Sequence, residues 1–454
     1  MPYFRVNPFK LPVSWIEEKF IDKLAKILED ESIIKEQVIA GKKIYYAQYP
    51  LGKLLEHTLG IIYVQSRSSM LSALALSPTE NDKVLDICSA PGSKTTLLAE
   101  LMNNKGTLIA NEISRDRTKA LLSNLDRLGI LNTSVINFDG VRIAKYFPEY
   151  FDKILVDPPC TALGDTYGLS KSQVQRNINR LNNLIQIQYQ LLVASAKMLK
   201  IGGEIVYSTC TTTLEENEYL IDKFIKKFPF DVIEVNIEGI NIRNEIGKSV
   251  NPLLFHSIRI DPSHVDEGFF IVKLKKKDFF EDKSEKRIKT DLVGFNEFPV
   301  YNFESGKIKE ILFEISDNYG IDNNFWMNFL YVKRNNDIYF VSKSDFDFFR
   351  CKVIRAGVKL ASYDKKSGWR LSTDAVQILG GLITKNVLVL ENKEQFHQYF
   401  LGYKTKIHFP DSDFVSVKFK DYFIGSGKVK NGELLSYFPR SKRSIEINFD
   451  LIIE

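Results

Sequence analysis

The sequence predicts a doubly wound α/β sheet in the middle of the chain, with an α+β extension before it and an α+β domain after it. Three observations predict this. Short apolar runs alternate with helical patterns over residues 79–276. Residues 277–290 (KDFFEDKSEKRIKT) are dense in charge, as a linker is. Residues 291–454 turn aromatic, with short strands and Gly turns such as VSVKFKDYFIGSGKVKNGELLSYF. At about 150 residues per domain, 454 residues suit two or three domains.

The elements follow in chain order. Residues 1–78 form the extension. There Trp15, Ile16, Phe20, Leu24, Ile27 and Leu28 recur at helical spacing behind Ser14, a candidate N-cap. Lys43 to Tyr49 reads as a strand. In the middle region Val84 to Cys88 is a buried strand, followed by a Gly turn and a helix from Thr95 to Met102. Further strands are expected at Thr107 to Glu112, Ser134 to Phe138, Lys153 to Val156, Gly203 to Ser208 and Phe269 to Lys275. Helices are expected at Arg115 to Leu128, Ile178 to Leu199 and Leu214 to Phe228. The last has Glu215 and Glu216 at its start and Lys226 and Lys227 at its end, an order that complements the helix dipole.

Composition narrows the class without naming it. Net charge is +5, from 62 basic and 57 acidic residues, which permits a polyanionic partner without demanding one. No run reaches the ~18 apolar residues of a membrane span. The first residues lack the order of a signal peptide. The four cysteines, Cys88, Cys160, Cys210 and Cys351, are far apart and show no zinc or disulfide spacing. A monomer in a reducing cytoplasm, without metal or membrane, is expected.

The stretch Cys88, Ser89, Ala90, Pro91, Gly92, Ser93, Lys94 joins a strand to a helix. Ligands of open α/β sheets bind at such strand ends. The helix start offers N–H groups to a carboxylate, and Lys94 adds a charge there. Gly92 is expected to let the backbone approach a ligand closely. A dinucleotide or phosphate loop would need a glycine pattern that is missing here. Glu112, Asp139 and Asp157 end three successive strands. Buried carboxylates need partners, so a ligand with hydroxyl and amino donors is expected beside them.

Two segments place a cysteine just past a strand end: Ile154 to Cys160 (ILVDPPC) and Val206 to Cys210 (VYSTC). Both ends open on one face of the sheet, so the two thiols are expected to share a pocket. A thiolate adding to carbon 6 of cytosine makes carbon 5 nucleophilic toward a methyl sulfonium. Asp157 is placed to bind N3 of the base. Cys351 and Cys88 read as structural.

These motifs, over roughly residues 55–275, resemble the Sun-type (NSUN-type) RNA cytosine-5 methyltransferases. The matching features are Gly60 to Gln65 with Ser68 and Ser69, Cys88 to Lys94, and Glu112 with Arg117, Asn124 and Arg127 to Gly129. Asp139, Asp157 to Cys160, Ser208 to Cys210, Arg259 to Pro262 and Gly268 to Phe270 complete the match. The resemblance implies a class I Rossmann-like fold and S-adenosylmethionine as cofactor. It implies Cys210 as nucleophile, Cys160 as the thiol that assists product release, and Asp157 as a contact to the base. It assigns Cys88 to Lys94, Glu112, Arg117, Asp139 and Asp157 to the cofactor. Thr161 to Gly164 (TALG) departs from the family's Ser-Gly, and only Arg176 and Arg180 stand where an arginine-tryptophan-rich segment is usual.

Phe414 to Pro439 resembles a PUA-type RNA-binding module, a small β-barrel. Its Lys418, Lys420, Lys428 and Lys430, with Arg440, Lys442 and Arg443, suit phosphates. Phe419, Tyr422, Phe423, Tyr437 and Phe438 suit stacked bases, or else an aromatic core. The RNA is expected to be ribosomal, with tRNA the alternative. Two other classes are weighed. An amino-group methyltransferase would need an aromatic ring where Cys160 stands, and a non-catalytic RNA-binding relic would have lost Cys210 or the cofactor turn.

Overall fold

The computed structural model describes residues 3–21, 24, 34–39, 41–47, 49–164, 170–238, 240, 242–262, 267–280, 299–344, 348 and 350–443. A nine-stranded sheet forms its centre. Its strands are β1 (Lys83–Asp86), β2 (Thr107–Asn111), β3 (Thr133–Ile136), β4 (Phe151–Val156), β5 (Leu199–Thr209), β6 (Phe230–Ile233), β7 (Ile258–Ile260), β8 (Phe269–Lys276) and β9 (Val353–Ala356). The order is β6-β8-β5-β4-β1-β2-β3-β9, with β7 on β8. Strands β1 to β5 pair in parallel and the others antiparallel. The chain winds from β1 out to β3 and returns to β4 on the other side of β1. Strand order therefore reverses between β1 and β4, and the crevice at their carboxyl ends is the switch point.

Both faces of this sheet are buried, which is why its strands read as continuous apolar runs. Leu85, Ile109, Ile154 and Ile205 point into one core, and Val84, Leu108, Leu155 and Val206 into the other. The helices are α1 (Ser93–Leu101), α2 (Arg115–Leu128), α3 (Lys171–Asn179), α4 (Leu181–Met198) and α5 (Glu218–Ile225). Helix α2 has the bounds the sequence predicts, because Ser114 caps its start and Gly129 ends it in a left-handed turn. The single helix expected over Ile178 to Leu199 falls on the end of α3 and on α4, which meet at Arg180, and Leu199 already begins β5. The helix expected from Leu214 begins later, at Glu218, which with Lys223 keeps the dipole order. Glu216 is fully buried before that helix and does not serve its dipole.

In the N-terminal extension, Val13–Trp15 is α-helical and Ile16–Ile21 is π-helical, so Ser14 lies inside the helix and does not cap it. Ile16, Phe20 and Leu24 are buried as expected, whereas Ile27 and Leu28 lie outside the described residues. The strand expected at Lys43 to Tyr49 is Lys42–Ala47, in a four-stranded sheet.

The C-terminal region has two further five-stranded sheets. The second, from Val387–Leu390 to Glu433–Ser436, curls into half a barrel, consistent with a PUA-like module. Its aromatic residues settle between the two readings: Phe419, Tyr422 and Phe438 are core, and Tyr437 is exposed with the Arg370 guanidinium 3.6 Å from its ring centre. Of the basic residues, Lys428 pairs with Asp413 and Lys442 with Asp374, and Arg443 donates to the carbonyls of Leu401 and Phe438. One strand of this region, β9, lies in the central sheet beside β3. The expected boundaries at 276 and 291 are therefore not edges of the catalytic sheet, and residues 281–290 of the expected linker lie outside the described residues. The N-terminal extension and the half barrel share one core, in which Phe4, Phe20 and Leu55 join Tyr399, Val417 and Tyr422.

That shared core holds a buried acid. The Tyr422 hydroxyl is 3.1 Å from the Glu56 carboxylate, and burial holds the Glu56 carboxyl up at about 7. The folded protein therefore binds this proton more tightly than the unfolded chain does. The resulting penalty is absent below the ordinary glutamate value, grows as pH rises, and is complete above about 7. Glu56→Gln is expected to leave stability unchanged near pH 4.5 and to raise it by about 3 kcal/mol at pH 8. Thermal unfolding of both proteins at the two pH values checks this; an equal offset at both would refute it.

Candidate functional site

The switch point gathers most of the residues the sequence singles out. The turn between β1 and α1 runs from Ile87 to Gly92 and contains a cis Ala90–Pro91 bond. Gly92 has φ +105°, and an added Cβ would come within 3.0 Å of the Leu121 side chain. Its left-handed backbone and its packing on α2 both call for glycine. Helix α2 holds the turn from outside: Arg117 donates to the Ala90 carbonyl and Asn124 to the Pro91 carbonyl, at 2.9 Å.

Glu112 is buried, and its carboxylate accepts from the Ala90 N–H at 3.3 Å and the Ser114 N–H at 2.9 Å. Arg117 lies 3.5 Å from it. Asp139 is half exposed at the end of β3, accepting from the Val141 N–H at 2.9 Å. Asp157 is fixed from two sides, by Lys94 Nζ at 2.8 Å and Ser208 Oγ at 2.9 Å. Lys94, at the start of α1, thus carries its charge against Asp157.

Sequence reasoning missed the brace behind this cradle. Asn111, buried at the end of β2, donates to the carbonyls of Ile87 and Phe138 at 3.0 and 3.1 Å and accepts from the Phe138 N–H at 3.0 Å. It ties together the ends of three strands. Its only sequence signal was its position beside Glu112. Asp86 was missed as well: Thr95 donates to one of its oxygens at 2.6 Å, and burial raises its carboxyl to about 7.

The fit to a nucleoside cofactor rests on this donor set. Helix α1 begins with no side-chain cap, so its first N–H groups face the crevice without a protein acceptor of that kind. Acids at the ends of β2 and β3 offer acceptors for hydroxyl and amino groups.

The two cysteines meet at the neighbouring strand ends. Cys160 Sγ and Cys210 Sγ are 3.3 Å apart, just beyond β4 and β5. The contact with Cys210, then burial, pushes the Cys160 thiol well above its ordinary value. Cys160 thus keeps its proton at neutral pH, and either sulfur can be the donor of the contact. Cys88 is partly buried under the cofactor turn, and burial followed by the charge of Asp86 raises its thiol too. Cys351 is buried in the core, as expected. Among the described residues no group of three His, Cys, Asp or Glu side chains is placed to hold a metal. No described helix is long and apolar enough to cross a membrane.

The profile of the family described as "16S rRNA methyltransferase RsmB/F" matches residues 73–275. A ribosomal RNA small subunit methyltransferase F of Vibrio cholerae is 30% identical over 440 residues, covering 93% of this chain and 84% of the relative. The chain belongs to the RsmB/F methyltransferase family. Its cofactor is S-adenosylmethionine. The Escherichia coli (O1:K1 / APEC) methyltransferase F is 31% identical over 401 residues, covering 86% of this chain and 80% of that one. Among solved structures, NSun6 from Pyrococcus horikoshii with SFG superposes with a TM-score of 0.52 at 23% identity. The match covers 61% of this chain and 91% of that one, and it shows a shared fold. The family match and the cradle at the switch point thus fall on the same stretch of chain.

Proposed function

We propose that this RsmB/F family member methylates carbon 5 of a cytosine in ribosomal RNA, with Cys210 forming a covalent bond to the base. The observation that carries the reading is the Cys160–Cys210 sulfur pair, 3.3 Å apart, beside an Asp157 fixed by Lys94 and Ser208. The names of the curated relatives favour ribosomal RNA over tRNA.

S-adenosylmethionine, held by the Cys88–Lys94 turn with Glu112, Asp139 and Asp157, supplies an electrophilic methyl group. Arg117 and Asn124 hold that turn in shape. The Cys210 thiolate adds to carbon 6 of the cytosine, and Asp157 meets the N3 side of the ring. Carbon 5 then carries the electron density that takes up the methyl group. Loss of the carbon-5 proton expels Cys210, and the protonated Cys160 beside it returns a proton to the leaving sulfur. The target cytosine must be unpaired or flipped out for the thiol to approach the ring face. The N-terminal extension (1–78) and the C-terminal region (291–454), joined by one shared core, are the parts read as recognising the RNA.

Cys160→Ala is the test. Incubated with S-adenosylmethionine and ribosomal RNA, it is expected to accumulate a protein–RNA adduct that survives denaturation, as removing the donor to the leaving sulfur slows release. Bisulfite sequencing of the trapped RNA then identifies the cytosine. Turnover without any trapped adduct in this variant would sink the covalent reading. An amino-group methyltransferase would form none, and Cys160 stands where its stacking ring would be needed.

A further inference from the structure

Six residues past Cys210, Glu216 is fully buried. Its carboxylate is the meeting point of both cysteine loops. One oxygen accepts from the Thr161 N–H at 2.9 Å and from Gln188 Nε2 at 2.8 Å. The other accepts from the Thr161 hydroxyl and from the Thr213 hydroxyl at 2.8 Å. Thr161 directly follows Cys160, and Thr211, within 2.8 Å of the Thr161 hydroxyl, directly follows Cys210.

We propose that Glu216 is a positioning residue whose carboxylate fastens the Cys160 loop to the Cys210 loop and so fixes the two thiols relative to each other. The proposal rests on the reading of Cys210 as nucleophile.

Donor accounting supports it. Four donors converge on the two carboxylate oxygens, two on each. The Thr161 hydroxyl has one proton, and Glu216 takes it. In the Thr161–Thr211 contact Thr211 must therefore be the donor. The result is a one-way chain from the residue after one cysteine, through the residue after the other, to the carboxylate. Gln188 also donates to the Pro159 carbonyl at 3.0 Å, which extends the clamp to the residue before Cys160. Asn217 repeats the pattern beside the other cysteine, accepting from Thr209 at 2.6 Å and donating to the Thr211 carbonyl at 3.0 Å. The negative charge of Glu216 also helps keep the Cys160 thiol protonated.

Glu216→Gln in the full chain tests the proposal. The amide keeps the volume but removes the charge, and its N–H2 group meets the Thr161 and Thr213 hydroxyls, which must turn to accept, so the Thr211-to-Thr161-to-Glu216 direction of the clamp is lost. We expect kcat for methyl transfer to fall by roughly 10²-fold, with KM for RNA and Kd for S-adenosylmethionine within about twofold. Alkylation of Cys160 by iodoacetamide is expected to shift to lower pH, since a nearby negative charge is gone; a scaffold role alone would not move it. Thr161→Val, which keeps the Thr161 N–H, is expected to lose about 10-fold in kcat, and Thr161→Ser almost none. These two stand in if Glu216→Gln fails to fold. An unchanged kcat in Glu216→Gln overturns the proposal, and so does equal activity of Thr161→Val and Thr161→Ser. A parallel fall of rate, cofactor affinity and Tm overturns it too. If Cys210→Ala still turns over, the covalent reading fails instead; if that variant is dead while Glu216→Gln runs at full speed, only the positioning proposal fails.

Discussion

Replacing Cys210 by alanine is expected to lower methyl transfer by at least ~10³-fold while leaving affinity for S-adenosylmethionine within about twofold. The separation follows from the geometry. Cys210 lies just beyond β5, with its sulfur 3.3 Å from the Cys160 sulfur. The cofactor cradle is braced by other residues, Asn111, Arg117 and Asn124. Removing one sulfur deletes the nucleophile and leaves the cradle intact. Cys210→Ser should fare no better, because a hydroxyl gives almost no anion at neutral pH where a thiol gives some. Tritium transfer from labelled cofactor measures the rate, and calorimetry measures the affinity. Activity within about tenfold of wild type would mean that carbon 6 is not attacked by this thiol.

The place of the candidate site was legible because its residues lie in short, ordered motifs at strand ends. The run Val84 to Lys94 reads as strand, turn and helix from its own residues, and the structure places it at the switch point. Helix α2 was legible to the residue because Ser114 and Gly129 punctuate it. What was not legible depends on partners distant in sequence. Glu216 reads locally as an acid at a helix start; only Thr161 and Gln188, brought to it by the fold, make it a buried acceptor. Asn111 looks like an ordinary polar end to a strand until Ile87 and Phe138 close on it. The aromatic residues of the half barrel could be core or stacking surface on sequence alone. The packing of Phe419 on Phe396, and of Tyr422 against Trp15, put both in the core. Strand β9 was invisible for the same reason, since its pairing partner β3 lies far upstream in the chain.

That hidden strand makes the other large prediction. A fragment ending at residue 280 contains every residue assigned to the chemistry, yet it is not expected to be a stable enzyme. Strand β3 is buried along its whole length, and β9 covers its outer edge with Val353 opposite Ile136 and Ala356 opposite Ser134. Arg355 of β9 pairs with Asp126 at 2.7 Å and donates to the Leu122 carbonyl at 3.1 Å, which fastens the strand to α2. Just outside the strand, the Gly357 N–H donates to the Thr133 carbonyl at 3.0 Å. Cutting the chain would leave the backbone groups of β3 unpaired along its outer edge, a template for aggregation. It would also strip the half barrel from Phe4, Phe20 and Leu55 of the extension, exposing a second apolar face. The fragment is expected to precipitate, or to unfold at least ~10 °C below the full chain. In the full chain, Val353→Asp would drive a charge against this edge at a site only 4% exposed and should lower Tm in the same direction by a smaller amount. Light scattering and thermal unfolding decide it. A monomeric fragment with the full chain's Tm and cofactor affinity would show that the central sheet closes without β9, and that the C-terminal region serves the RNA alone.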